Sequence, residues 1–278
     1  MLLAAQGFEV EVRSTTQPGE AETLARAAAE AMFDRVVVAA GDGTLGEVVN
    51  GLVGSATVLG ILPGGTGNVA ARNFGVRQLD RALAVATGDE IRAVDVGVAN
   101  GRCFLTMAGL GFDALVIRHV GPRAKRTLRD LAYFVQAVAR FPTWPPTRLR
   151  LTLDDATTRD CAAWLLVINN APKYAWSIAL SPAARLDDGQ LDLFLCTGLC
   201  KWRALRQIAG TLLGLPTLAD GVEHHQARRL TLESARPWPL HLDGDPLGTT
   251  PVRCTVRPAA LRVLVAKSSP WSLPTGAV

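Results

Sequence analysis

Two glycine-rich stretches hold the residues of this chain whose types and spacing are best suited to chemistry. Residues 41–44 read Gly-Asp-Gly-Thr after the apolar run 36–38, and residues 64–68 read Gly-Gly-Thr-Gly-Asn after the apolar run 58–61. Each pattern predicts a strand that ends in a tight turn and then opens a helix. Glycines let the backbone approach an anion, and a helix start offers backbone N–H groups and a positive dipole end. Two such loops on successive strands predict a site for nucleotide phosphates.

Asp42 indicates that this nucleotide site also binds a metal ion. A carboxylate inside a phosphate-binding turn repels the phosphates unless a cation lies between them. Residues 41–46 formally match the Gly-x-Gly-x-x-Gly dinucleotide pattern, whereas the Walker pattern Gly-x-x-x-x-Gly-Lys-Ser/Thr does not occur in the sequence. The alternative that both stretches are only tight strand–helix turns stays open at this point.

The elements that must position these loops alternate between strand and helix up to about residue 94. This alternation indicates a parallel sheet with helices on both faces. Such a sheet binds ligands at the carboxyl ends of its strands, where both loops fall. The predicted strands are 8–12, 36–40 and 57–62, and the predicted helices are 20–33, 45–52, 69–74 and 79–87.

Beyond about residue 91 the pattern changes to short strands separated by turns rich in Asp and Gly. Strands this numerous, with few helices among them, indicate an antiparallel sandwich or barrel. We therefore predict an α/β nucleotide-binding domain at 1–94 and an antiparallel β-sandwich domain at 95–278. The predicted strands of the second domain are 92–98, 102–107, 147–153, 162–169, 190–196, 227–233 and 252–257, and its predicted helices are 125–141 and 201–215.

Net charge, apolar runs and the spacing of cysteines and histidines limit the classes of protein to which this chain can belong. The net charge of +4 and the pI near 9.0 suit nucleotide phosphates or an anionic membrane surface, and are too weak to predict nucleic-acid binding. Apolar runs fall short of the roughly eighteen residues of a membrane helix, and the first residues lack the features of a secretory signal. The five cysteines are predicted to be core thiols and the four histidines structural or surface residues, because neither set has metal-like or triad-like spacing. We expect a cytoplasmic protein; peripheral attachment to the inner membrane face stays open.

Further motifs follow the glycine loops along nearly the whole chain. The Gly-Asp-Gly-Thr loop continues into residues 47–52, the second loop spans 62–72, and the later motifs are at 100–104, 109–114, 186–192 and 241–248. In this order they resemble the motifs of the soluble diacylglycerol-kinase family of bacterial lipid kinases, whose catalytic domain is shared by sphingosine and ceramide kinases. The resemblance implies an α/β nucleotide domain followed by a β-sandwich. It also implies a kinase that uses ATP and Mg²⁺ to phosphorylate a hydroxyl of diacylglycerol or a related lipid.

The resemblance implies roles for individual residues as well. The loop around Asp188 would hold Mg²⁺ through that carboxylate and through the backbone carbonyls of Arg185 and Gln190, in keeping with the preference of Mg²⁺ for hard oxygen ligands. Asp245 would accept the proton of the lipid hydroxyl, with Asp243 as the alternative base. The implied contacts to ATP are Thr15, Gly41, Asp42, Gly43, Thr44, Gly46 and Thr66.

Two features depart from the family pattern. The family opens with a strand and an Asn-Pro-x-x-Gly loop that lines the nucleotide, and this sequence begins at what would be the following helix. Two alternatives stay open: the start of the sequence is misassigned, or the nucleotide site lacks that loop. Asp245 stands where the family commonly has Glu, which is longer by about 1.5 Å. Misplacing a catalytic group by about 1 Å can cost about a hundredfold in rate.

Other functions and partners stay open. One alternative is an NAD kinase, which shares the first glycine loop, although the stretch 243–248 favours a lipid kinase. Another is a nucleotide-binding regulatory protein, which would be compatible with both departures from the family pattern. A lipid substrate implies work at a membrane surface, and the helix 125–141 is a candidate contact, although packing on the sandwich is the favoured interpretation. Core packing is likewise favoured over a lipid cleft for Trp144, Trp176 and Trp202. The residues do not name the lipid, and a homodimer stays open.

Overall fold

The chain divides into two compact units. The computed structural model describes residues 7–76, 78–121, 130–174, 180–198, 200–213 and 220–267. Met1–Val94 and Ala259–Val278 form the first unit, and Asp95–Pro258 form the second. The expected division assigned all of residues 95–278 to the second domain, whereas the structure groups Ala259–Val278 with the first unit.

The first unit is an α/β structure built on parallel strands, as the alternating pattern predicted. Strand β1 (Arg35–Ala40) pairs in parallel register with β2 (Val58–Pro63), from Arg35 opposite Val58 to Ala40 opposite Pro63. The elements in chain order are α1 (Glu20–Glu30), β1 (Arg35–Ala40), α2 (Asp42–Leu52), β2 (Val58–Pro63), α3 (Val69–Asn73) and α4 (Leu79–Ala86).

Two helices of this unit pack with almost no space between their backbones. A Cβ on Gly51 of α2 would lie 2.5 Å from the carbonyl oxygen of Glu22 on α1, so only glycine permits this approach. The carboxylate of Glu47 accepts hydrogen bonds from the backbone N–H groups of Gly19, at 2.9 Å, and Ala21, at 3.2 Å. Glu47 therefore satisfies backbone donors at the start of α1 that the helix itself leaves open.

The prediction of a strand at 8–12 is wrong. These residues have no regular secondary structure, and the side chain of Val12 is 81% exposed. Alternation alone does not make a strand, because a strand is stabilised by backbone hydrogen bonds to a neighbour. Among the described residues, 8–12 pair with no strand.

The second unit is antiparallel, and the predicted β-sandwich is confirmed. The long strand β7 (Thr157–Asn169) pairs with β6 (Thr147–Leu153) through its first half, with β5 (Met107–Gly111) through its second half, and with β8 (Leu191–Thr197). Its strands, two of which have residues in both units, are β3 (Ile91–Ala99), β4 (Arg102–Phe104), β5 (Met107–Gly111), β6 (Thr147–Leu153), β7 (Thr157–Asn169), β8 (Leu191–Thr197), β9 (Val222–Ala227), β10 (Arg229–Ser234), β11 (Pro239–Leu242), β12 (Asp245–Thr249) and β13 (Val252–Leu264).

The end of β13 explains why the last residues group with the first unit. Arg262 and Val263 pair in parallel with Val58 and Leu59 of β2. A strand must have a partner to satisfy its backbone groups, and β2 provides one. The sequence pattern did not reveal this return, because 252–257 were predicted to end the strand within the sandwich.

The helices of the second unit are α5 (Phe112–His119), α6 (Asp130–Arg140) and α7 (Lys201–Leu213). Helix α5 was not predicted. Helices α6 and α7 correspond to the predicted 125–141 and 201–215, of which 125–129 and 214–215 lie outside the described residues. None of the described helices has the length and apolar character needed to cross a membrane.

Candidate active site

The Gly-Asp-Gly-Thr stretch is the first turn of α2. The helix starts at Asp42 with Gly41 as its N-cap, three residues earlier than predicted, and its first internal hydrogen bond runs from Leu45 N–H to the carbonyl of Gly41 at 3.1 Å. First-turn N–H groups such as those of Gly43 and Thr44 have no acceptor within a helix. They are therefore suited to an anion, which the positive end of the helix dipole also attracts.

The two predicted phosphate loops contact each other through their glycine backbones. Gly64 N–H donates to the carbonyl of Ala40 at 2.9 Å. A Cβ on Gly65 would lie 2.5 Å from the Cα of Gly41. The parallel pairing of β1 with β2 brings the loops together, and the glycines allow this approach. The structure thus places Gly41, Asp42, Gly43, Thr44 and Gly46 on one element beside the loop that contains Thr66.

We expect Gly65→Ala to destabilise the protein by about 1–3 kcal/mol, because its new methyl group would overlap the backbone of Gly41. Gly46→Ala is the matched control: a Cβ there meets nothing within 4 Å, and alanine in a helix is favoured by about 0.5–1 kcal/mol over glycine. Urea unfolding of both variants checks this. Equal midpoints for the two would contradict the close contact between the loops.

Asn68 closes the second loop. Its Oδ1 accepts from Gly65 N–H at 2.8 Å, and its Nδ2 donates to the carbonyl of Gly65 at 2.7 Å. Its backbone is left-handed, with φ of 48°, a conformation that Asn tolerates better than most residues. Asn68 therefore holds the loop on which half-buried Thr66 lies, a positioning role that the sequence analysis did not assign.

Asp42 faces the second loop. Its Oδ1 accepts a long hydrogen bond, 3.4 Å, from the backbone N–H of Ala70 at the start of α3. Its Oδ2 lies 3.0 Å from where a Cβ on Gly67 would be. A cation is thus not the only group that can stabilise this carboxylate, which corrects the argument made from the turn alone.

Thr15 lies in the exposed segment that leads into α1. The carboxylate of Glu20 accepts from the neighbouring Thr16 N–H at 2.7 Å, and this bond ties the segment to the helix start. Among the described residues, Thr15 makes no hydrogen bond to either glycine loop, so its predicted contact to ATP stays a prediction.

In the second unit, Asp243 and Gly244 form the turn between β11 and β12. Both have positive φ, 50° and 93°, as a two-residue type I′ hairpin requires. The Asp243 carboxylate accepts from the backbone N–H groups of Leu105 at 2.7 Å, Thr106 at 2.8 Å and Met107 at 3.0 Å. A carboxylate that accepts three backbone bonds is suited to anchoring a turn.

Asp245 follows directly as the first residue of β12. Asp245 is exposed, and it pairs in register with Leu242 of β11. The two carboxylates predicted as alternative bases thus have different surroundings. Asp243 accepts three backbone bonds, whereas Asp245 is an exposed residue at the start of β12. Which of the two accepts the proton stays a prediction.

The predicted metal loop is built around Asp188 and a buried partner, Asp95. The Oδ1 of Asp188 accepts from Gln190 N–H at 3.0 Å, and the Oδ2 of Asp95 accepts from Gly189 N–H at 2.6 Å. Asp95 is 2% exposed. Burial raises the pKa of Asp188, the bond from Gln190 opposes this, and the charge of Asp95 raises it further.

These residues fit a magnesium ion. Burial also raises the pKa of Asp192 on β8, the hydrogen bond from Gln226 opposes this, and the charge of Asp188 raises it further, so a cation beside Asp188 would relieve the repulsion between these two carboxylates. The described residues contain no cluster of three His, Cys, Asp or Glu side chains able to hold a metal. Mg²⁺ takes few carboxylates and completes its shell with other oxygens, as the predicted set of Asp188 and the carbonyls of Arg185 and Gln190 would allow.

Comparison with known proteins covers both units. Residues 1–99 match the family model of the diacylglycerol kinase catalytic domain, and residues 106–265 match that of the YegS C-terminal NAD kinase beta sandwich-like domain. The chain is 33% identical over 268 residues to a probable lipid kinase YegS-like protein of Chromohalobacter salexigens, across 95% of this chain and 86% of that relative. It is 29% identical over 250 residues to the diacylglycerol kinase of Bacillus subtilis, across 88% and 82% of the two chains.

A solved structure supports the fold. The crystal structure of a diacylglycerol kinase from Bacillus anthracis superposes with a TM-score of 0.72 at 21% identity, over 96% of this chain and 89% of that one. Family models over both units and a relative above 30% identity agree with the motifs described above. The chain therefore belongs to the family of lipid kinases that comprises the YegS-like proteins and the bacterial diacylglycerol kinases.

Proposed function

We propose that the protein uses ATP and Mg²⁺ to phosphorylate a hydroxyl of diacylglycerol or a related lipid. The observation that carries this proposal is the first turn of α2 beside the loop 64–68. There, the first-turn N–H groups of Gly43 and Thr44, which a helix leaves without acceptors, are of the kind that bind nucleotide phosphates. Membership in a lipid-kinase family supports a lipid as the acceptor.

In the proposed reaction the lipid hydroxyl oxygen forms a bond to the γ-phosphorus of ATP. The bond from that phosphorus to the β,γ-bridging oxygen breaks, and ADP leaves. Asp245 accepts the hydroxyl proton. Phosphoryl transfer depends mainly on positioning and charge stabilisation, so the glycine loops hold the phosphates and Asp243 holds the turn that carries the base.

Asp188, with the carbonyls of Arg185 and Gln190, would hold Mg²⁺ in this protein. When bound, the ion offsets negative charge on the oxygens around it.

A lipid acceptor implies a membrane surface as a partner, and two helices of the second unit carry apolar side chains suited to it. On α6, Phe134 is 65% exposed and Val138 is 57% exposed; on α7, Trp202 is 75% exposed. The prediction that Trp202 packs in the core is thus wrong. Trp176, for which core packing was also predicted, lies outside the described residues. Exposed apolar groups on amphipathic helices bind the interface of a bilayer. We propose that these helices contact the membrane that contains the substrate.

An acceptor panel tests the proposed function. ATP, Mg²⁺ and the protein are incubated with diacylglycerol or phosphatidylglycerol in mixed micelles, or with NAD⁺, and both ADP and phosphorylated product are measured. Lipid-dependent product is expected. Phosphorylation of NAD⁺ alone would identify an NAD kinase, and ATP binding without turnover on any acceptor would identify a regulatory protein.

We expect Asp188→Ala to raise the Mg²⁺ concentration for half-maximal turnover by about tenfold or more. Asp187→Ala is the control, because Asp187 is exposed and pairs with the Arg185 side chain at 3.0 Å. Since the pKa of Asp188 is raised, Mg²⁺ affinity should be lost as pH falls through that raised value, earlier than for an ordinary carboxylate. If the Mg²⁺ titration of Asp188→Ala matches that of the parent, Asp188 is a turn residue and does not bind the metal.

A further inference from the structure

A buried chain of side chains reaches the hairpin that carries Asp245. His241, on β11, is 1% exposed, and its Nε2 lies 2.6 Å from the Oδ2 of Asp113 on α5. The hydroxyl of Tyr174, which follows β7, donates to the Oδ1 of the same carboxylate. One carboxylate thus accepts bonds from two side chains that are distant in sequence.

The other ring nitrogen of His241 contacts the turn itself. The backbone N–H of Gly244 donates to Nδ1 at 3.1 Å. A ring nitrogen that accepts from a backbone N–H carries no proton, so the proton of the neutral ring is on Nε2, which donates it to Asp113. Asp113 therefore selects the tautomer of His241 that can hold Gly244.

Gly109 makes room for this arrangement. It lies on β5 directly opposite His241. A Cβ at this position would lie 2.0 Å from Nε2 of His241 and 2.2 Å from Oδ2 of Asp113. The stretch 109–113 thus supplies both the space for the contact and the carboxylate that makes it.

Tyr174 is the third side chain of this group, and its hydroxyl donates a hydrogen bond to the Asp113 carboxylate. Burial raises its pKa well above the ordinary value, and the charge of Asp113 raises it further. The hydroxyl therefore stays protonated and donates to Asp113. Asp113 is held between Tyr174 and His241, which keeps the carboxylate in place.

We propose that His241 is a positioning residue for phosphoryl transfer, which holds Gly244 so that Asp245 meets the lipid hydroxyl in a fixed orientation. The inference rests on the proposed role of Asp245 as the base. Asp243 anchors the same turn through the backbone of 105–107, so two successive turn residues are held by independent contacts. A general base with a side chain as short as that of Asp depends strongly on a fixed turn, because misplacing a catalytic group by about 1 Å can cost about a hundredfold in rate.

Two replacements of His241 separate its two contacts. The amide oxygen of Asn can take the place of Nδ1 and accept from Gly244, whereas the amide of Gln reaches the place of Nε2 and meets Asp113. We expect His241→Asn to keep kcat within about threefold of the parent, and His241→Gln to lower kcat by about tenfold or more at unchanged KM for ATP. His225→Asn, on β9 and outside the chain of contacts, is the matched control and should leave both constants unchanged.

Amide hydrogen exchange at Gly244, measured by NMR, gives a readout that does not depend on activity. The Gly244 N–H should exchange slowly in the parent and in His241→Asn, and faster in His241→Gln, with thermal unfolding showing that each variant is folded. Equal exchange in all three proteins, or equal kcat for the Asn and Gln variants, would overturn the proposal. If exchange follows the expected order but the parent phosphorylates no lipid, the proposed function fails and the contact that holds the turn stands.

Discussion

Asp245→Asn should lower turnover by a factor of about one hundred to ten thousand, the usual contribution of a general base, while leaving ATP affinity unchanged. The physical reason is that the amide cannot accept the hydroxyl proton, whereas the glycine loops proposed to bind the phosphates belong to the first unit and are not altered. Initial rates with diacylglycerol micelles and equilibrium ATP binding check the two halves of this expectation.

Asp245→Glu and Asp243→Asn are the companion variants. Glu restores the longer side chain common in the family, so it should be tolerated or raise the rate if reach is limiting. Asp243→Asn should lower stability as well as rate, because the charged carboxylate accepts three backbone N–H bonds, and bonds to charged groups are worth about 1.5–3 kcal/mol each. A fully active Asp245→Asn beside a stable but inactive Asp243→Asn would move the base to Asp243.

Asp42→Ala should abolish kinase activity in a protein that remains folded. The carboxylate lies in the first turn of α2, where the phosphates are proposed to bind, and beside bound ATP its charge would repel the phosphates unless a cation lies between them. The hydrogen bond from Ala70 N–H is long, at 3.4 Å, so the loss of that bond should cost no more than about 0.5–1.5 kcal/mol. Turnover and urea unfolding measure the two effects.

Asp42→Asn refines this result, because the amide oxygen can still accept from Ala70 while the charge is lost. If the acid works through its charge, the Asn variant should be as inactive as the Ala variant and closer to the parent in stability. Near-normal turnover in either folded variant would show that Asp42 only connects the two loops.

The local features of this chain could be predicted from its sequence because they depend on neighbouring residues. Strand β1 is a valine run, and the turn at Asp243 and Gly244 consists of residues that adopt positive φ readily. The ordered motifs predicted the lipid-kinase family, and the comparisons confirm it. The limits of this reasoning are also local: alternation at 8–12 did not make a strand, and the start of α2 was placed three residues late.

Tertiary structure decided the surroundings of each candidate side chain. From the sequence, Asp243 and Asp245 were alternative bases, and His241 was one of four histidines without a recognisable partner. Folding places the backbone of 105–107 on Asp243 and places His241 against Asp113, which is 128 residues away. Spacing along the chain cannot reveal such contacts, because they arise only when β5 and β11 pair and bring α5 beside the hairpin. The sequence by itself therefore determined the family and the candidate residues, and the packing of distant elements determined the contacts that each of these residues makes.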